Sequence, residues 1–121
     1  MKEIFQRPQG LIEVAHFSLP SIQTWGTPKD AAYKELVRST AKLSGFAGQY
    51  SFFVFTIKSI VGIRRRRKVG PDVENIPKLI VDAFTGVLYP DDNLDYVRGI
   101  QVEATFGPDD QECTEVWIYG G

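Results

Sequence analysis

The stretch YSFFVFTIKSI, residues 50 to 60, constrains this chain more than any other. Successive side chains of a strand point to opposite faces, and here aromatic and β-branched residues fall on both. A strand of that kind belongs in the middle of a sheet, where neighbours and a covering layer remove both faces from water. With 43% apolar residues among 121, the chain is long enough to bury one core and too short for two. The expected organisation is one domain over residues 1–121.

The other segments supply what a central strand needs. Leu11 to Leu19, LIEVAHFSL, is apolar and β-branched and ends at Pro20, as a strand would. Thr27 can cap a helix, Pro28 suits the first helical position and Asp30 favours its positive end. Tyr33, Leu36, Val37, Thr40 and Ala41 then recur at helical spacing, with Gly45 as the expected stop. Ile76, Leu79, Ile80, Ala83 and Phe84 mark the buried face of a second helix closed by Gly86. Pro77 is tolerated only in a first turn, where its missing N–H would have had no partner, so this helix should begin at Asn75 or Ile76. Val97 to Phe106 places Ile100, Val102, Ala104 and Phe106 on one face, GPDD makes a turn, and Thr114 to Tyr119 forms a last strand. The fold class is α/β, a mixed β-sheet with two main helices.

Several function classes drop out. No run approaches the roughly 18 apolar residues of a membrane span, and MKEIFQRPQG lacks the apolar stretch of a signal peptide, so a soluble, cytoplasmic protein is expected. Cys113 is the single cysteine and sits in a strand-like stretch, which reads as a small packed side chain rather than a nucleophile. His16 is the single histidine, which argues against a zinc site or a Ser-His-Asp triad. Trp25 and Trp117 read as core or interface residues before they read as base-stacking platforms.

Charge is divided sharply along the chain. Residues 1–68 carry twelve Lys or Arg against four Asp or Glu, whereas residues 69–121 carry two against eleven. The change falls inside RRRRKVGPDVENIPK, residues 64–78, where Arg64, Arg65, Arg66, Arg67 and Lys68 run into Asp72 and Glu74. A local patch of this kind points to a nucleic-acid contact despite the net charge of −1. It is equally the composition of a solvated loop. Pro77 leaves Asp72 and Glu74 in an extended lead-in, two residues apart and on one side, with Lys78 in the first helical turn. Asp91 and Asp92 follow the helix and its return. If the two acidic clusters meet, unit charges about 4 Å apart repel by roughly 4 kcal/mol at an effective dielectric of 20, and a cation is required. Oxygen ligands without His or Cys favour Mg²⁺, with Mn²⁺ as the other candidate. On spacing alone, a residue preceding a helix and an exposed YPDD turn explain the same acids.

The stretch PDVENIPKLIVDAFTGVLYPDDNLDYVRGIQVEA, residues 71–104, resembles the RusA family of Holliday-junction resolvases of bacteria and their phages or prophages. That family shows Asp-x-Asp-Asn-x-x-Lys, a helix with an Asp-Ala pair, then Gly and an Asp-Asp pair, often after an arginine-rich loop. Asp72, Glu74, Asn75 and Lys78 fall on the first motif, Asp82, Ala83 and Gly86 on the helix and its end, and Asp91 and Asp92 on the pair. The resemblance implies a Mg²⁺-dependent endonuclease that cuts branched DNA as a homodimer. It implies that Asp72, Glu74 and Asp92 hold the metal, with Asp91 assisting, and that Lys78 works beside the scissile phosphate. Arg64 to Lys68 would then track phosphates; if all five do, the log–log salt slope is about −4.5 per protomer. Glu74 stands where the family most often has Asp, and its extra methylene carries the carboxylate outward by about one bond. A branched-DNA-binding protein that keeps the scaffold without useful catalysis is the alternative this difference leaves open.

Overall fold

The computed structural model describes residues 10–20, 27–46, 48–62 and 75–121. Four strands and two helices run in the order β1 (Ile12–Leu19), α1 (Thr27–Ala41), β2 (Phe53–Gly62), α2 (Asn75–Ala83), β3 (Val97–Gly107) and β4 (Cys113–Gly120). They form one mixed sheet in the order β1-β4-β2-β3. β4 pairs antiparallel with both β1 and β2, while β3 pairs parallel with β2. Parallel neighbours need a crossover, and α2 lies in the connection between β2 and β3. The mixed α/β sheet with two helices is therefore as the sequence predicts, and YSFFVFTIKSI is indeed central.

The core lies on one face of the sheet. Phe55 pairs with Ile118, Ile57 with Val116 and Ser59 with Thr114, and all six are fully or almost fully buried. Val37 of α1 and Ile80, Ala83 and Phe84 of the α2 region complete this layer, each without exposed surface. Phe84 meets Phe55 and Phe17 with ring centroids 6.2 and 6.3 Å apart. Within this layer the Ser59 and Thr114 hydroxyls bond each other at 2.9 Å. On the other face, Val54 and Lys58 are half-buried, and His16 stacks on Trp117 at 4.5 Å while bonding Glu115 at 3.0 Å. His16 and Trp117 thus belong to one structural cluster.

Several strand ends differ from expectation by one or two residues, and two boundaries differ by more. α1 stops at Ala41 rather than running to Gly45, because Lys42 adopts a left-handed conformation (φ 52°) and its amide bonds the Arg38 carbonyl. That cap turns Leu43 into the core, where it is 4% exposed, and Gly45 falls in a short 3-10 turn, Ser44–Phe46. β2 begins at Phe53, not Tyr50. No helix among the described residues is long and apolar enough to cross a membrane.

Candidate active site

α2 begins where Pro77 requires, at Asn75, and buries most of its surface while leaving one side open. Pro77, Leu79, Ile80, Val81 and Ala83 are buried, whereas Lys78 is exposed in the first turn and Asp82 half-exposed. Lys78 and Asp82 are four residues apart and so share the outer face, about one 5.4 Å turn from each other. After Ala83 the chain doubles back. Gly86 takes φ +85°, its amide bonds the Tyr89 carbonyl at 2.7 Å, and Thr85 bridges Tyr89. A side chain is disfavoured at such a φ, which gives this glycine its place.

Tyr89 locks the return to the helix. Its buried hydroxyl donates to the Val81 carbonyl at 2.6 Å, and its ring packs against Phe53 and Tyr96. The phenol is pushed well above its ordinary range, first by burial and then by the negative charge of Asp92 and Asp82. The chain thus delivers Asp91 and Asp92 to the outer end of α2.

The two neighbouring acids are used differently. Asp91 Oδ1 accepts the Asp92 amide at 2.8 Å and its Oδ2 accepts from Asn93 Nδ2 at 3.4 Å, so Asp91 orders its own loop. Asn93 continues the ordering: its Oδ1 accepts the Asp95 amide, and its carbonyl accepts the amides of Tyr96 and Val97. Asp92 instead responds to Asp82 of α2, whose carboxyl group raises its pKa. This is the chief reason its acidity is weakened, with desolvation and the charge of Asp82 adding to it and Asp91 opposing.

α1 closes the other side of the corner. Lys34 Nζ stands 3.9 Å from Asp82 Oδ2, and Arg38 Nη1 donates to the Ala83 carbonyl at 3.1 Å. A guanidinium at a helix C-terminus satisfies a free carbonyl and suits the helix dipole. Arg38 is held in turn by Glu35 at 3.2 Å.

Of the residues expected at a site, Lys78, Asp91 and Asp92 fall on this corner, on α2 and the loop that follows its return. Asp72, Glu74 and Arg64 to Lys68 lie outside the described residues. Among the described residues no three His, Cys, Asp or Glu side chains form a set that could hold a metal ion. The described acids fit one in their chemistry: Asp82 and desolvation weaken the acidity of Asp92, and oxygen donors suit Mg²⁺ or Mn²⁺. Asp82 is the participant that site reasoning from sequence missed. Its signal was an acid four residues after Lys78 on a helix whose neighbouring positions are apolar.

Residues 13–118 match the family model described as Endodeoxyribonuclease RusA. No individual curated protein matches the chain.

Proposed function

Because the chain belongs to the RusA endodeoxyribonuclease family, we propose that it cuts four-way DNA junctions by Mg²⁺-dependent hydrolysis of phosphodiester bonds. The observation that carries the reading is that the return through Gly86 and Tyr89 brings Asp92 onto the face of α2 that also presents Lys78 and Asp82. The metal would be held by Asp92 together with Asp72 and Glu74, Mn²⁺ being an acceptable substitute for Mg²⁺. When bound, such an ion lowers the pKa of a water molecule and neutralises phosphate charge.

The protein's own residues do the remainder. Asp92 presents its carboxylate at the exposed end of α2, where a DNA backbone can approach. Lys78 offers a cation on the same helix face for the charge that builds on the phosphate in the transition state. Asp91 keeps the loop in shape through the Asp92 amide. Arg64 to Lys68 grip the flanking phosphates, and selectivity for junctions comes from DNA shape more than from base contacts. Cutting both strands of a two-fold symmetric junction calls for two copies of the site, so the working form is a homodimer in the cytoplasm.

A labelled four-way junction incubated with and without Mg²⁺ or Mn²⁺, beside flap and fork substrates, tests the proposal. Metal-dependent cutting that prefers the junction and is lost in Asp92→Asn is expected. Tight junction binding without cutting would favour the binding-only alternative, and undiminished cutting by Asp92→Asn would sink the site.

A further inference from the structure

Residues 69–121 hold eleven acids and only two cations, Lys78 and Arg98. Lys78 already has a place in the site, and Arg98 has none. An arginine among so many carboxylates would ordinarily pair with one, yet among the described residues Arg98 makes no ion pair. Its guanidinium carbon instead lies 4.6 Å from the centroid of the Phe52 ring, while the side chain stays exposed. The ring attracts the cation but offers no oxygen acceptor, so the guanidinium keeps its N–H fork for an oxyanion.

The backbone aims this side chain. β3 pairs with β2 in parallel, and the register skips Arg98: Phe53 faces Val97 and Val54 faces Gly99. A bulge is rare in a parallel pair, and its effect is to re-aim one residue. Gly99 lets the strands close up directly afterwards, since a Cβ there would stand 3.2 Å from Val54 Cγ1. The bulge also lies beside the acidic loop. The Asn93 carbonyl accepts the amides of Tyr96 and Val97, so the chain makes a single turn between that loop and Arg98, and the Phe53 amide bonds the Tyr96 carbonyl at 2.6 Å. Phe52 and Arg98 therefore stand at the end of the sheet where Asp91 and Asp92 emerge.

We propose that Arg98, pinned on Phe52, binds a DNA phosphate beside the loop of Asp91 and Asp92, as an anchor separate from Arg64 to Lys68. The proposal rests on the reading of this protein as a junction-binding nuclease. A planar guanidinium can give a phosphate two N–H bonds, and pinning it removes freedom that binding would otherwise have to remove. Such a contact adds affinity and register but reads no base.

Binding of the full chain to a labelled four-way junction, in a chelator that prevents cutting and over a series of salt concentrations, tests this. Arg98→Gln should reduce the log–log salt slope by about 0.9 per protomer and weaken binding equally on junctions of different sequence. Arg98→Lys should keep the slope, because the charge remains. Phe52→Leu should also keep the slope but lose up to about fivefold in affinity, since the charge is present and no longer held. Melting temperatures and sedimentation accompany every variant, and the two Arg98 variants carry the comparison if Phe52→Leu does not fold. Arg98→Gln with the slope and affinity of the parent would overturn the proposal, and folded Phe52→Leu with parent affinity would overturn the pinning. A change of oligomeric state in Arg98→Gln would overturn it too, because Arg98 would then be holding a second copy of the chain. A parent that binds no junction would remove the underlying reading and this proposal with it, an outcome separate from any variant result.

Discussion

The two sides of α2, only nine residues long, are held by opposite kinds of force. Inward, Leu79, Ile80 and Ala83 join a layer in which each apolar side chain has many partners and removing one leaves a void. Outward, Lys78 and Asp82 stand with Asp92 in a corner where charges of like sign meet and each contact is a single bond or ion pair. A difference of one residue along the helix thus separates what maintains the fold from what is available for chemistry. Substitutions on the inner side should register as stability, and those on the outer side as activity.

Phe84 tests the inner half most severely. It has no exposed surface and joins Phe17 and Phe55, so Phe84→Ala should cost about 3–5 kcal/mol of unfolding free energy, measured by urea denaturation. A loss below 1 kcal/mol would mean that the layer is not close-packed. Next in size is Lys78→Met on the outer half. If the ammonium stabilises charge in the transition state, junction cleavage should fall by about 100-fold or more in kcat, while the melting temperature stays unchanged. A variant that melts early and cleaves normally would reverse the division of the helix.

Tyr89 joins the two halves, its ring in the core and its hydroxyl on the Val81 carbonyl below the acids. Tyr89→Phe keeps the ring and removes the donor, so a stability loss of about 1 kcal/mol is expected. Cleavage should change only modestly, because the Gly86 turn and the loop bonds of Asp91 and Asn93 persist. A large drop in cleavage without loss of stability would move Tyr89 from the fold to the site.

The inner half was legible in the sequence for a physical reason: burial imposes a period. The apolar residues on both faces of YSFFVFTIKSI and the spacing of Leu79, Ile80 and Ala83 follow from strand and helix geometry, and Pro77 confined the helix start to Asn75 or Ile76. The end of α1 was less legible, since a left-handed Lys42 is a local conformation that the burial of Leu43 repays, and Gly45 offered a more conventional stop. The outer half was legible only in its composition. That Asp92 rather than Asp91 turns toward α2 depends on the Gly86 turn and the Tyr89 hydroxyl, and that it meets Asp82 depends on both. Such a proximity between residues ten apart leaves no periodic trace, so the sequence offered Asp91 and Asp92 together, the resemblance favoured Asp92, and the geometry supplied its neighbour.

The smallest expected effect concerns the price the fold sets on the acidic corner. Asp92 is held above the ordinary carboxylate range, chiefly by the carboxyl group of Asp82 and then by desolvation. In the unfolded chain it ionises near the usual value of about 3.9. Between that value and its raised native one, the native state binds more protons than the unfolded state, so stability falls as pH rises through the interval and stays lowered above it. Asp92→Asn removes the titration. In the presence of a chelator, the parent should therefore lose melting temperature relative to Asp92→Asn as pH climbs from just below the carboxylate range to neutrality. The shift should be small, because the corner is exposed and solvent screens it. Mg²⁺ in place of the chelator should recover the difference in the parent alone, since an ion that binds only the native state stabilises it. Parallel melting profiles for parent and variant at every pH would mean that Asp82 and Asp92 do not meet in solution, and the outer half of α2 would then lack the charge conflict that distinguishes it from the inner.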